Sequence, residues 1–148
     1  MPLKIIKVET LKDLDYCISV RKQVFYDEEN APESLYIADE KDKDESTLNI
    51  VGFVNDVPVT TARFIKIDNT TCKIQRMSVL SKCRNNGYAK ELLFFLEGCI
   101  KEYGYKTIEL DSSLKAVGFY EKYGYKRTSD IFYEDNRPHI KLKKELRG

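Results

Sequence analysis

The stretch Ile74–Ala89 reads IQRMSVLSKCRNNGYA, and the rest of the chain is organised around it. β-forming residues run to Val79. A polar loop with two cations, Lys82 and Arg84, follows. Gly87 then opens a segment in which Ala89, Leu92, Leu93, Leu96 and Ile100 recur at helical spacing. A strand, a short basic loop and a helix start are therefore predicted in that order. The first turn of a helix presents N–H groups with no partner inside the helix, and it is the positive end of the helix dipole. That geometry suits a diphosphate, with Gly87 allowing close approach to the backbone and Lys82 and Arg84 adding charge. Other phosphate loops fit less well. A Walker A loop needs Gly-Lys-Ser/Thr, whereas Gly87 is followed by Tyr88 and Ala89; a dinucleotide fingerprint needs three glycines, and only Gly87 is present.

Toward the N-terminus, Leu3–Val8 reads as a strand and Thr10 as the cap of a helix over Leu11–Tyr26, with Leu11, Leu14, Ile18 and Phe25 on its inner face. Asp27–Thr47 is polar, acidic and contains Pro32, so it reads as a loop with a short helical turn; so long a loop in a small domain is often functional. Leu48–Val54, Val57–Ile67 and Thr71–Val79 form a meander with turns at Asn55-Asp56 and Asp68-Asn69-Thr70. The helix Gly87–Tyr103 ends at Gly104. Strand Thr107–Leu110 and helix Ser113–Tyr123 come next, and a hairpin of Tyr125–Tyr133 and His139–Leu146 closes around Asp135-Asn136. The predicted class is α/β: a single domain over residues 1–148, with a mixed, mostly antiparallel central sheet of about seven strands flanked by helices on both faces.

Composition narrows the function. The 148 residues are 42% hydrophobic, enough for a real core, and 25 basic residues against 24 acidic ones leave a net charge of +1. So balanced a chain has no bulk field for nucleic acid or a membrane surface, and neither is expected as a partner. Cys17, Cys72, Cys83 and Cys99 form no Cys-x-x-Cys pair and His139 is the only histidine, so no metal is expected. Met1–Thr10 reads as a strand and not as a signal peptide, and no apolar run approaches membrane-spanning length, so the cytoplasm is the expected compartment. His139 is expected to be a strand residue with a backbone partner. Cys83 is the cysteine expected to be exposed, without a base to make it a nucleophile.

Arg84, Gly87 and Ala89 match the pattern Gln/Arg-x-x-Gly-x-Gly/Ala, between a strand and a long amphipathic helix. In this the sequence resembles the GNAT superfamily of N-acetyltransferases at its coenzyme A motif. Ala116–Tyr125, AVGFYEKYGY, is similar to the family's second motif, and Glu134–Ile140 to the terminal hairpin of one bacterial subgroup. Arg21, Val24, Phe25 and the acidic segment after them are similar to that subgroup's first helix and substrate loop. The resemblance spans nearly the whole chain.

It implies an acetyl-CoA-dependent N-acetyltransferase in which a primary amine, of a small molecule or a protein, attacks the thioester directly. By resemblance, the backbone of Met77, Ser78 and Val79, where the family's strand bulges and splays, holds the pantetheine and acetyl carbonyl, with the Val79 N–H as oxyanion donor. Arg84 and the amides of Asn85, Asn86, Gly87, Tyr88, Ala89 and Lys90 hold the pyrophosphate. Tyr120 is the general acid that protonates the departing thiolate. Phe119 and Ser112 lie against the coenzyme, although the run Asp111-Ser112-Ser113 stands where many relatives place Asn, His or Gln. Arg21, Glu28 and Glu29 fall on the acceptor side, where the acidic segment Asp27–Glu45 is expected to favour a cationic amine and Glu28, Glu29 or a water chain to take its proton. Relatives are often homodimers. The alternative is a non-catalytic acyl-CoA-binding or regulatory module, against which Tyr120 argues, because a pure binder needs no acid there.

Overall fold

The computed structural model describes residues 2–147. Eight strands form one sheet: β1 (Lys4–Lys7), β2 (Leu48–Val54), β3 (Val57–Lys66), β4 (Thr71–Val79), β5 (Thr107–Ser113), β6 (Lys126–Arg127), β7 (Phe132–Glu134) and β8 (Arg137–Glu145). Their order across the sheet is β1-β2-β3-β4-β5-β8-β6, with β7 also pairing β8. Only β4 and β5 run parallel, joined by a crossover through α2 (Tyr88–Glu102). The expected fold class is the one observed, with one strand more than the sequence suggested. The Tyr125–Tyr133 segment breaks into β6 and β7 because between them Thr128 N donates to Lys141 O and Ser129 Oγ accepts from Lys141 N, each at 2.9 Å. Side chain and loop thus satisfy β8 where a continuous strand would have done so.

Alternation along the strands gives the sheet two different faces. Ile50, Ala62, Phe64, Cys72, Ile74, Ile108, Leu110, Ile140 and Leu142 meet Leu92, Leu93, Leu96 and Ile100 of α2, and Val117 and Tyr120 of α3 (Val117–Lys122), in the main core. The opposite face carries Val51, Asn49, Thr61 and Arg63, covered by α1 (Leu11–Arg21). Thr10 caps α1 by accepting from Asp13 N at 3.1 Å. The buried face of α1 is Leu14, Cys17, Val20 and Arg21, continued by Val24, and not the expected Leu11, Ile18 and Phe25; Leu11 is 80% exposed. The buried stripe Leu14, Cys17, Val20 and Val24 is itself apolar at helical spacing, and Arg21 lies beside it, held by Asp42 and Asn49. Past Arg21 the backbone continues to Glu28 with the wider i→i+5 π-helical turn, ending beyond the expected Tyr26. The region expected as a loop follows, with 3₁₀ turns at Glu33–Leu35 and Lys41–Lys43.

At the C-terminal half, β5 extends to Ser113, three residues beyond the expected Leu110, and α3 starts at Val117 rather than Ser113. β8 supplies the reason: it pairs with β5 through Ser112↔Ile140 and Ser113↔His139. The β7–β8 turn is built on Asp135 and Asn136, both at positive φ, which is the residue chemistry of a tight hairpin.

Candidate active site

The site begins with a fault in β4. β3 pairs Thr61 with Ser78 and Arg63 with Gln75, so Arg76 and Met77 together oppose Ala62. This is a β-bulge, with Arg76 at φ 59°. On its other edge β4 pairs with β5 from Thr71↔Thr107 to Ile74↔Leu110, and the ladder ends there, although both strands continue. Gln75–Val79 thus part from Asp111–Ser113. Leu80 N donates to Val59 O at 2.9 Å. In an antiparallel ladder alternate residues turn their N–H groups to opposite sides, so that of Val79 points away from β3, toward the side β5 has left. The Val79 carbonyl lies on the same side and accepts from Arg84 Nε at 3.1 Å.

A second element closes on the end of β4. Ser81–Cys83 makes a 3₁₀ turn, Asn86 Nδ2 donates to Cys83 O at 3.0 Å and Arg84 O at 3.2 Å, and Asn85 and Gly87 take left-handed φ values of 66° and 78°. These reversals aim the start of α2 at the end of β4. Gly87 is the N-cap, with no side-chain cap, and space for a Cβ at Gly87 is open. The constraint there is conformational: the left-handed backbone suits glycine. The first intrahelical bond runs from Glu91 N to Gly87 O at 3.1 Å, so the N–H groups of Ala89 and Lys90 precede it. Lys82, Asn85 and Asn86 are exposed around this turn.

The third element is Tyr120 on α3. Its hydroxyl donates to Met77 Sδ at 3.3 Å, and its ring lies edge-on between Phe119 at 5.1 Å and Tyr125 at 5.6 Å. The ring is buried, and burial pushes the phenol well above its ordinary value, so it stays protonated through the neutral range. Behind it, Tyr125 donates to Glu97 at 2.6 Å, and Lys144 pairs with the same carboxylate at 3.1 Å. Phe119 is half-buried. Ser112 is buried, and its Oγ donates to Ser113 O at 2.8 Å; Ser78 Oγ reaches Arg76 O at 3.4 Å.

The remaining expected residues lie on the α1 face, in ion pairs. Arg21 is fully buried and donates to Asp42 twice at 3.0 Å and to Asn49 at 2.8 Å. Arg63 donates to Asp39 and Asp42 at 2.7–3.0 Å and to Gln75 Oε1 at 2.8 Å. Burial raises the Asp42 carboxyl, but the bonds and charge of Arg21, with Arg63, outweigh it and hold it well below the usual carboxylate range. Glu28 is held by both terminal nitrogens of Arg84, and Glu29 by Arg137 Nη1 at 2.6 Å. Arg84 therefore ties the loop before α2 to the π-helical turn, and Arg137 ties that turn to the closing hairpin. Between the π-helical turn and the loop after β4 lies a cleft of about 380 Å³ lined by Gln23, Asp27, Glu28, Leu80, Ser81 and Lys82. His139 Nδ1 lies 2.8 Å from Arg137 O, and its ring stacks on Phe132.

The network Arg63–Asp39–Asp42 was not singled out from the sequence. The available signal was a charged residue at an inward position of a strand otherwise rich in buried residues, Arg63 in TTARFIK, together with an acidic loop to neutralise it.

The parted strands, the bulge and the helix start aimed at them describe a fold class that comparison identifies. The acetyltransferase (GNAT) domain matches residues 14–146, and the chain belongs to that family. A putative acetyltransferase of Bacillus subtilis (strain 168) is 34% identical over 143 residues, covering 94% of both chains. The crystal structure of a putative N-acetyltransferase from Lactobacillus plantarum superposes with a TM-score of 0.88 at 26% identity, over 97% of this chain and 98% of that one. A GNAT family acetyltransferase from Elizabethkingia anophelis, solved with acetyl-CoA bound, shares the fold with a TM-score of 0.73 at 18% identity, over 97% and 98% of the two chains. Among the described residues, no helix is long and apolar enough to cross a membrane.

Proposed function

We propose that the chain transfers the acetyl group of acetyl-CoA to a primary amine by direct attack. The observation that carries this reading is the parting of β4 from β5 at Ile74/Leu110, with the Val79 N–H turned toward the opening. A thioester carbonyl placed there meets a fixed donor where oxyanion charge develops. The amides of Ala89 and Lys90, with the neighbouring loop, receive the diphosphate at the start of α2. A neutral amine attacks the carbonyl carbon, the tetrahedral intermediate collapses, and the C–S bond breaks. Tyr120 gives its proton to the sulfur, and the proton that the nitrogen sheds as the amide forms passes to solvent, from which Tyr120 is reprotonated. Its raised pKa keeps it in the donor form at neutral pH. A relative of the same fold carrying acetyl-CoA supports the choice of co-substrate. Arg84 enters this scheme by positioning: its side chain, bound to Val79 O and Glu28, holds the diphosphate loop against the end of β4.

Thermal unfolding with acetyl-CoA, with coenzyme A and ATP as controls, tests the reading. Ligand at about 100 times Kd stabilises by about 2.7 kcal/mol, or about 5–10 °C for a domain of this size. Both coenzymes should raise Tm and ATP should not. No shift in a folded sample sinks the proposal, and a shift without turnover of any amine leaves a binding module.

A further inference from the structure

The ionic cluster on the α1 face does not close on itself. Three guanidinium groups, Arg21, Arg63 and Arg76, share two carboxylates, Asp39 and Asp42. Arg21 and Arg63 occupy both carboxylates with hydrogen bonds of 2.7–3.0 Å. Arg76 is left with Asp39 Oδ2 at 3.7 Å, too long for a hydrogen bond, and with no closer acidic partner among the described residues. Its side chain is 20% exposed, and none of its donors has a hydrogen-bond acceptor among the described residues. Burial and the charge of Arg63 pull Arg76 below its ordinary value, which marks a cation whose surroundings do not balance it.

The place of this surplus charge gives it a use. Arg76 and Met77 are the two bulged residues, and they leave β4 on opposite faces: Met77 packs toward α3 and the Tyr120 hydroxyl, while Arg76 reaches Asp39 on the α1 face. In a direct transfer the coenzyme arm and the acceptor reach one carbonyl from different sides. With Tyr120 on the thiol side, Arg76 stands on the acceptor side. Four of the acids expected to draw a cationic amine there are already paired: Glu28 with Arg84, Glu29 with Arg137, and Asp39 and Asp42 with Arg63 and Arg21. A planar guanidinium with open donors matches a carboxylate or a phosphate in paired hydrogen bonds.

We propose that Arg76 is a specificity-determining residue of the acceptor side, and that the acceptor is an amine that also bears an oxyanion. This rests on the acetyltransferase reading and reverses the expectation that the acidic loop selects a cationic amine. The test is a set of matched acceptors, amino acids against their amides and aminoalkyl phosphates against the parent amino alcohols, assayed by release of coenzyme A. The wild type should favour the oxyanion-bearing member of one series in kcat/KM by about 10- to 100-fold, the range of one charge-assisted hydrogen-bonded pair. The difference should lie mainly in KM, and the series that shows it names the anion. Arg76→Gln should abolish the preference and Arg76→Lys keep part of it, both leaving the acetyl-CoA thermal shift intact. Calorimetry on the coenzyme A complex should give tighter binding of the N-acetylated acid than of its amide. Amides and alcohols used as well as their acidic partners would overturn the proposal, as would a preference that survives Arg76→Gln. If Arg76→Gln does not fold, the wild-type comparison decides alone. Loss of the acetyl-CoA shift in the wild type, or no turnover of any amine, overturns the acetyltransferase reading and this one with it; turnover without preference overturns only this one.

Discussion

The two faces of the sheet solve the same packing problem with different chemistry. On the α2 and α3 side the strands bury aliphatic and aromatic side chains, and the polar groups that enter, Tyr120 and the Tyr125–Glu97–Lys144 set, are few and bonded. On the α1 side the same strands present Asn49, Thr61 and Arg63, and the helix answers with Arg21. Apolar burial is tolerant of exchange, whereas a buried guanidinium requires a partner at a definite place. That requirement is what holds the 39–42 turn, a long way along the chain, on the α1 face of the sheet. The comparison teaches that Asp39 and Asp42 anchor the acidic loop with their charges instead of displaying them.

Removing one partner from the ionic face should have the largest effect. Asp42→Asn leaves Arg21 and Arg63 short of a buried carboxylate, and urea unfolding at pH 7 should show a loss of about 3–5 kcal/mol. The sign with pH follows from the depressed carboxyl. Its stabilisation is present above the unfolded value of about 3.9 and is lost as pH falls through the lower folded value, so acid should destabilise the wild type more steeply than Asp42→Asn. A loss as small as that of a surface pair would break the contrast between the faces.

On the other face, Tyr120→Phe should keep the fold, since it removes a hydroxyl bonded only to a thioether, and should cost less than about 1.5 kcal/mol of stability. Turnover with a competent amine should fall by about 10²-fold. Unchanged turnover would remove Tyr120 from the mechanism and leave it a core aromatic. The smallest effect belongs to the surface pair. Glu28→Gln should change stability by less than about 1 kcal/mol, because its pair with Arg84 is partly exposed. It should also tighten acetyl-CoA binding a few-fold by removing a negative charge beside the diphosphate loop. Weaker coenzyme binding in calorimetry would instead show that the Arg84–Glu28 contact is needed to shape that loop.

Much of this was legible in the chain because the signals were local. Gly87, with Asn85 before it, needs a left-handed backbone, and the periodic run after it needs a helix; both follow from dihedral preference and a 3.6-residue period. Asp135-Asn136 specified its turn in the same way. Of the inner face expected for α1 only Leu14 is buried, because the stripe Leu14, Cys17, Val20 and Val24 competes at the same helical spacing with Leu11, Ile18 and Phe25; the buried Arg21 beside it gives no apolar signal. β5 runs past Leu110 because Asp111-Ser112-Ser113, polar residues with little strand signal of their own, pair with β8.

The sequence by itself determined the strand–loop–helix unit around Gly87, the meander before it and the hairpin after it, since each depends on residues within a few positions of one another. Tertiary structure alone decided where β4 bulges and leaves β5, and which acids are spent. The Arg21–Asp42 and Arg63–Asp39 pairs join residues 21 and 24 positions apart, and Arg137 meets Glu29 across 108. No local preference encodes such partners. They are chosen when folding strips water from the charges and leaves each guanidinium the carboxylate that the topology has brought within reach.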